Sequence, residues 1–196
     1  MPMQPDFDLA AILDDIWSRL VAGQNDRAHP FYLPAVAIAG VDGAPTVRTV
    51  VLRQVDRGAR LLAFQTDFRS PKCAAIRANP AVVLLFYDGV SRIQVRAKTI
   101  ATLHHDDDIA RAAWLAVSER NQMNYRSPYP PGTVIPAVDC SPTHSNELRI
   151  EAGRENFAVV HCAVIEFDWL MLHPQGHRRI RFKFSGGAVT NEWLVP

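Results

Sequence analysis

Short segments rich in β-forming residues, most of them separated by turn residues, follow one another along this chain and limit the folds open to it. Residues 81–87 form a continuous apolar run, and residues 91–103 alternate apolar with polar side chains. Turn sequences at 56–58 and 173–176 predict antiparallel hairpins. The predicted strands are 36–39, 46–55, 60–66, 81–87, 91–103, 157–172 and 178–184. Six or more antiparallel strands with few helices predict a mainly β fold, a small barrel flanked by α-helices.

A few peripheral helices complete this prediction. Apolar residues at helical spacing predict an amphipathic helix over 8–21. A short helix is predicted over 71–78, and an acidic start predicts another over 106–117. Residues 147–154 fit either a short helix or a strand. A Pro-rich excursion covers about 126–143.

Length and charge limit the domains and partners. The 196 residues suit a single domain, 1–196, since domains most often hold ~100–150 residues. A formal net charge of +1 gives no reason to expect nucleic acid or a membrane as partner. The N-terminus is acidic and no apolar run approaches the ~20 residues that span a bilayer, so a cytoplasmic protein is expected. Cys73, Cys140 and Cys162 favour free thiols, because they are odd in number and lack zinc-site spacing.

The stretch from Arg48 to Lys72 has the composition of an anion-binding cradle. Ser70 suits a helix cap and Pro71 the first helical position, which places Lys72 in the first turn. Unpaired N–H groups and the helix dipole would point the same way as Lys72 and Arg69. Because a hairpin can bring Arg48 beside Lys72, the stretch predicts a site for a phosphorylated ligand.

Two basic groups keep a second interpretation open. Arg48 and Arg53 would point to opposite faces of a regular strand, and both can be solvated edge charges. The basic segment 177–181, with Trp169 on the strand before it, fits either an exposed hairpin or a clamp of arginines and an aromatic face around a ligand.

Other chemistries find less support. The His and Asp side chains at 104–108 diverge from one another, so they indicate a solvated helix start and no metal site. The sequence has no recognisable Ser-His-Asp or Cys-His arrangement, no P-loop and no GxGxxG motif. No catalytic side chain is therefore assigned.

Several motifs follow one another in an order that is specific as a set. They are RTVVLR at 48–53, FQTDFRSPK at 64–72, NP at 79–80 with LLF at 84–86, IQVR at 93–96, IEFDW at 165–169 and HRRIRF at 177–182. Together they resemble the pyridoxamine 5′-phosphate oxidase-like family of proteins that bind flavin mononucleotide (FMN). The resemblance covers roughly residues 30–120 and 157–196.

This resemblance implies an FMN-binding split β-barrel that forms a homodimer, with two flavin sites at the subunit interface. By position, Arg48 and Lys72 would bind the FMN phosphate, with hydrogen bonds from Thr66 and Ser70. The other cofactor-binding residues that it implies are Val50, Val51, Leu52 and Arg53 along the isoalloxazine ring, Gln65 and Arg69 in the loop, Gln94, and Trp169 with Arg179 or Arg181 from the other subunit.

The chain departs from the family pattern at several positions. Pro71 stands where the family has a phosphate-binding Arg, whose charge Arg69 would replace. Gln65 stands in place of a Tyr, and Arg53 in place of a Lys that also touches substrate in the true oxidase. The Tyr and Arg that hold pyridoxal phosphate are not evident in the aligned stretch 113–118, nor is the downstream Gln-Ser pair.

The function implied by the resemblance is that of an FMN-dependent oxidoreductase, which takes a hydride or electrons onto flavin N5 and passes them to an acceptor. Since the cofactor carries this chemistry, the protein needs no acid–base pair of its own. His177 and Arg178 are the residues left to bind a small-molecule substrate. Two alternatives stay open: a non-catalytic FMN-binding or sensing dimer, and a barrel that has lost flavin and binds another phosphorylated ligand.

Overall fold

Antiparallel β-strands form the frame of the molecule, which the computed structural model describes for residues 8–135 and 153–196. The strands are β1 (Ala35–Ala39), β2 (Pro45–Thr49), β3 (Leu52–Asp56), β4 (Leu61–Asp67), β5 (Ala81–Asp88), β6 (Ile93–His104), β7 (Phe157–Met171), β8 (Arg178–Ser185) and β9 (Ala188–Leu194). Their order in the sheet is β2-β1-β5-β6-β7-β4-β3, and β8 pairs with both β7 and β9. The predicted mainly β, antiparallel architecture is confirmed.

Helices flank this sheet. They are α1 (Leu9–Asn25), α2 (Pro71–Ala78), α3 (Asp108–Ala116) and α4 (Glu119–Gln122). Asp8 caps α1 by accepting a hydrogen bond from the Ala10 N–H at 2.9 Å, and the helix continues past its predicted end at 21. Asp107 caps α3 in the same way, which confirms a helix start at the acidic residues 106–108, whereas His104 belongs to the end of β6. None of the helices in the described residues is long and apolar enough to cross a membrane.

The prediction of one strand over 46–55 is wrong. The segment forms two strands, β2 and β3, which pair with β1 and β4 respectively. Between them the Val50 N–H donates to the Pro34 carbonyl oxygen at 3.0 Å, and the pairing of β3 with β4 shifts register between Leu52 and Gln54. Arg48 and Arg53 therefore belong to different strands, so the parity of their spacing does not decide which faces they share.

This interruption closes the barrel. β2 and β3 stand at opposite ends of the strand order, yet only Val50 and Val51 separate them in sequence. Three residue steps span at most about 11 Å, so the two ends of the sheet must lie side by side. No strand pairing joins β2 to β3 in the described residues. We call this unpaired junction, together with the neighbouring end of β4, the seam.

The barrel is filled by aromatic and branched side chains. Phe64, Phe86, Phe167 and Phe182 are fully buried, and Trp17 of α1 contacts Phe167 edge-on at 5.1 Å between ring centroids. A smaller cluster of Trp114, Tyr125 and Phe157 holds α3 against β7. The residues of each cluster all belong to one chain, so a single subunit has its own hydrophobic core.

The cysteines of the described residues are buried and free. Burial raises the pKa of the Cys73 thiol to about 11 and that of Cys162 to about 12, so neither is a reactive thiolate at neutral pH. Cys140 lies outside the described residues, as do 136–143 of the Pro-rich excursion and 147–152 of the segment with two interpretations. Residues 154–156 form a 3₁₀ turn.

Candidate functional site

The connection between β4 and α2 fixes the ammonium group of Lys72. Ser70 occupies the cap position of α2, but its side chain makes no capping hydrogen bond to the helix. Instead Lys72 Nζ donates to Ser70 Oγ at 2.7 Å and to Thr66 Oγ1 at 2.8 Å. Both hydroxyl-bearing residues are buried. Two neutral acceptors thus orient the ammonium, which has a third proton to donate.

Arg48 approaches the same place from β2. Its Nη1 atom is buried and has no hydrogen-bond partner in the described residues. No carboxylate within 8–135 or 153–196 forms an ion pair with Arg48 or Lys72. A buried cationic nitrogen without an acceptor costs free energy, so the pair is suited to an anionic ligand.

The charges of Arg48 and Lys72 also favour an anionic ligand. Burial lowers the pKa of Lys72 from its usual value, and the positive charge of Arg48 lowers it further. Nearby acidic groups act in the opposite direction without reversing the shift. A phosphate bound between the two cations would supply both opposite charge and acceptor oxygens, and would therefore raise the pKa of Lys72.

A cavity of about 430 Å³ opens over these side chains. It brings together residues from β2, β4 and the start of α2, as well as the segment after α4. Its lining residues are Arg48, Thr49, Val50, Gln65, Thr66, Ser70, Pro71, Lys72, Pro131 and Gly132. The predicted cradle residues Arg48 and Lys72 thus line one cavity together with Thr66 and Ser70.

The residues predicted along the flavin ring continue from this cavity. Val50 lines it, and Val51 leads along the seam to β3. The Leu52 side chain is buried in the core, whereas Arg53 is exposed at the irregular start of β3. At Leu52, only backbone atoms are therefore available to a ligand on this side.

Arg69 is directed elsewhere. Its guanidinium donates to the Asp67 carboxylate, with Nη2 at 2.7 Å from Oδ2 and Nε at 3.1 Å from Oδ1. The hydrogen bond to Asp67 raises the pKa of Arg69. Its charge is paired with Asp67 inside the turn, and Arg69 does not line the cavity that Arg48 and Lys72 share.

The predicted residues on β6, β7 and β8 are not brought to this cavity within one chain. Gln94 is half-buried opposite Leu170 of β7. Arg179 donates to Asp168 at 2.9 and 3.0 Å, and Arg181 lies 3.4 Å from Glu166. Trp169 is only 4% exposed, so its ring faces the core and offers little surface to a ligand held by another subunit.

The predicted substrate residues lie at the hairpin between β7 and β8. His177 is exposed, and its Nδ1 accepts a hydrogen bond from the His173 N–H at 3.1 Å. Arg178 opens β8 opposite Met171. Neither residue lines the cavity over Arg48 and Lys72.

The sequence did not predict four residues of the cavity wall as binding residues, and Pro71 among them was named only as a departure from the family pattern. Thr49 ends β2 next to the break between β2 and β3. No turn residues mark this break, so the sequence there has the pattern of one continuous strand. Pro131 and Gly132 belong to the Pro-rich excursion. Their composition marked a loop but carried no information on which strands the loop would approach.

The family model that matches this chain and two of its relatives bear the name of pyridoxamine 5′-phosphate oxidase. Residues 15–105 match the family model described as pyridoxamine 5′-phosphate oxidase, FMN-binding domain. A pyridoxine/pyridoxamine 5′-phosphate oxidase of Rubrobacter xylanophilus is 42% identical over 66 residues, which are 34% of this chain and 30% of that protein. The enzyme of the same name from Psychrobacter cryohalolentis is 26% identical over 168 residues, 72% of this chain and 76% of that protein. The first match therefore spans about a third of its relative's length.

A solved structure matches over nearly the whole chain. The crystal structure of a pyridoxamine 5′-phosphate oxidase-related, FMN binding protein from Nostoc punctiforme superposes with a TM-score of 0.73 at 21% identity. The match covers 99% of this chain and 100% of that one. At this identity the likeness establishes the fold, and it confirms the predicted split β-barrel.

Proposed function

We propose that the chain is a divergent member of the pyridoxamine 5′-phosphate oxidase-like, FMN-binding split-barrel family whose model matches residues 15–105, and that it binds FMN and acts as an FMN-dependent oxidoreductase. The observation that carries the proposal is the buried, unpartnered Arg48 Nη1 beside the Lys72 ammonium. Both cations line a cavity and lack carboxylate partners in the described residues. The group that fits this donor set is a phosphate monoester.

In the proposed complex each residue has a limited task. Arg48 and Lys72 hold the phosphate, while the hydroxyls of Thr66 and Ser70 keep the Lys72 ammonium in position. The backbone of the seam, from Val50 to Arg53, would lie along the isoalloxazine ring, because Val50 lines the cavity next to the two cations. When bound, FMN supplies a two-electron redox centre, so the chain itself provides binding and orientation.

Flavin titration tests the binding step. The purified protein is stripped of ligand and titrated with FMN and with riboflavin, which lacks the phosphate, while flavin fluorescence is followed. Loss of charged hydrogen bonds to phosphate costs about 1.5–3 kcal/mol for each bond, so riboflavin should bind at least tenfold more weakly. Equal affinity for the two would remove Arg48 and Lys72 from the phosphate role. No binding of either flavin would refute the proposal.

Anaerobic reduction tests the redox step. The FMN-loaded protein is mixed with candidate donors, beginning with pyridoxamine 5′-phosphate because the two curated relatives are named for it. Bleaching of the flavin absorbance followed by recovery with oxygen would support an oxidase. Stable FMN binding without reduction by any donor would favour the non-catalytic alternative.

We also propose that two copies associate through the outer face of β1, β2 and β5. On this face Val47 is 67% exposed, and Ala37 lies between Val47 and Val83 in the strand register. Leu85 extends the same apolar strip opposite Ala35. A row of aliphatic side chains that are partly or fully exposed on one sheet face is typical of a protein–protein contact. This aliphatic strip supports the proposal of a homodimer.

A further inference from the structure

The turn at residues 130–133 forms one wall of the cavity over the two cations, through Pro131 and Gly132. The Thr133 N–H closes this turn by donating to the Pro130 carbonyl oxygen at 3.2 Å. Because proline fixes φ at about −65° and Gly132 has a φ of +91°, the turn is of type II. Gly132 therefore holds a conformation that other residues rarely adopt.

The N–H of Gly132 is not used by this turn. The hydrogen bond that closes the turn belongs to Thr133, and the Gly132 N–H has no acceptor in the described residues. Within that part of the chain, residues 127–133 form hydrogen bonds only among themselves. A ligand in the cavity would thus meet an available donor, on a turn that no hydrogen bond ties to another element.

The start of α2, which lines the same cavity, offers few backbone donors to an anion. Pro71 has no N–H. The N–H groups of Ser70 and Cys73 donate to carbonyl oxygens of the chain itself, at 3.0 and 2.9 Å. A phosphate monoester presents three acceptor oxygens, more than the side chains of Arg48 and Lys72 need. A donor from elsewhere in the cavity wall would therefore find an acceptor on the phosphate.

We propose that the turn at 130–133 is part of the phosphate site, with the Gly132 N–H donating to the phosphate and the turn closing over it. This inference rests on the proposed function, which places the FMN phosphate at Arg48 and Lys72. It adds a donor from a segment that follows α4 in the chain. Hydrogen bonds to a charged oxygen are stronger than those between neutral groups, so the turn is expected to slow the release of the cofactor.

Gly132→Ala tests the inference, because alanine is strained at a φ of +91° and the turn must change its shape. The ligand-free variant and the wild-type protein are titrated with FMN and with riboflavin, which has no phosphate, while flavin fluorescence is followed. The variant should bind FMN about tenfold more weakly and riboflavin as before, since only the phosphate loses a hydrogen bond to a charged group. Release of FMN, measured by stopped flow, should be faster by a similar factor.

Gly43→Ala is the matched control. Gly43 has a φ of +82° in the exposed turn between β1 and β2, and it does not line the cavity. At Gly43, as at Gly132, an added Cβ would meet no atom within 4 Å. The control should leave the affinities for both flavins unchanged. Similar losses of FMN affinity in the two variants would overturn the inference.

NMR spectroscopy of the wild-type protein follows the Gly132 amide directly. Its proton should move downfield when FMN or inorganic phosphate is added, and should stay in place with riboflavin. An amide that does not move with FMN, or a Gly132→Ala protein with the wild-type ratio of the two flavin affinities, would overturn this inference and leave the proposed function standing. Equal affinity of the wild-type protein for FMN and riboflavin would refute the phosphate assignment and this inference with it.

Discussion

Arg48 combines a binding role with a cost to the ligand-free fold. Its buried Nη1 has no partner in the described residues, and the neighbouring charge of Lys72 is repulsive. An unsatisfied buried donor costs roughly 1–3 kcal/mol, and more when it is charged. Such a cost at one position is typical of residues kept for a ligand.

We predict opposite effects of Arg48→Met on stability and on binding. Removing the cation should raise the free energy of unfolding of the ligand-free protein by about 1 kcal/mol and should abolish tight FMN binding. Urea denaturation and flavin titration measure the two effects. Arg57→Met is the control, because Arg57 forms an exposed ion pair with Asp14 that contributes little. A less stable Arg48→Met protein would contradict the assignment.

Lys72→Met should weaken FMN binding by about tenfold to a hundredfold, since a charged hydrogen bond contributes roughly 1.5–3 kcal/mol. The matched control is Lys183→Met, which removes an exposed ammonium 3.1 Å from Glu192 on the distant hairpin. Fluorescence titration of both variants gives the comparison. Similar losses in the two would indicate a general effect of charge.

At this scale the sequence predicted which residues share the cavity of Arg48 and Lys72 better than it predicted their surroundings. Ser70, Pro71 and Lys72 lie within one short helix start, where the local preference of Pro for the first helical position decides the geometry, although the Ser70 hydroxyl accepts from Lys72 and caps no backbone N–H. Arg69 could not be placed in this way, because its choice of Asp67 as partner depends on how the turn folds. The burial of Trp169 depends on packing between distant strands, which local pattern does not report.

Charged pairs across neighbouring strands stabilise the β6–β7–β8 region of the sheet. Asp168 is 1% exposed and accepts hydrogen bonds from Arg96 and Arg179. Burial alone would raise the pKa of Asp168, but the hydrogen bonds and charges of the two arginines bring it below its usual value. The carboxylate therefore connects three strands while it is ionised.

Asp168→Asn should destabilise the fold by about 2 kcal/mol at pH 7, because it leaves two arginines without their charged acceptor. The pKa of Asp168 is lowered on folding, so its contribution is present above pH ~4 and is lost as pH falls through the folded-state value. Urea denaturation at pH 7 and pH 3 should thus show a smaller difference between wild type and variant at pH 3. Asp108→Asn, in an exposed pair with Arg111, is the control.

The contact between β6 and β7 also contains a titratable pair. The rings of His104 and His161 lie 4.5 Å apart, and His104 Nδ1 is 2.8 Å from Asp107 Oδ2. Burial lowers the pKa of His161, and the neighbouring His104 lowers it further. The unfolded chain therefore takes up a proton near pH ~6.5 that the folded protein takes up only at lower pH.

From this we predict that stability falls as pH decreases below about 6.5, and that His161→Gln removes part of the fall. The measurement is the free energy of unfolding at pH 7.5 and pH 5.5 for both proteins. An unchanged difference between the two pH values in the variant would contradict the prediction.

The sequence did not predict the boundary between β2 and β3, because no turn residues separate these two strands. The β-rich run at 46–55 has the pattern of one strand, and its division at Val50 is decided by pairing with β1 on one side and β4 on the other. Long-range pairing leaves no local trace in such a run. The helices α1, α2 and α3, whose sequence signals are local, were located to within a few residues, whereas α4 was not predicted.

At the scale of the whole molecule, we predict that the homodimer depends on the outer face of β1, β2 and β5. Val47→Glu places a charge in the exposed aliphatic strip and should shift the protein from dimer to monomer in light scattering coupled to gel filtration. Val90→Glu is the control, since Val90 is 95% exposed in a turn outside this strip. A wild-type protein that is monomeric at all concentrations would refute the proposed dimer.

The seam has a consequence for how the barrel holds its shape. Its two edges belong to residues close in sequence, but in the described residues no ladder of backbone hydrogen bonds crosses between β2 and β3. Arg48 near the end of β2 and Lys72, which is hydrogen-bonded to Thr66 of β4, line one cavity beside this gap. A phosphate between them would form a bridge where the sheet has none, so that ligand occupancy and circular closure of the barrel become thermodynamically coupled.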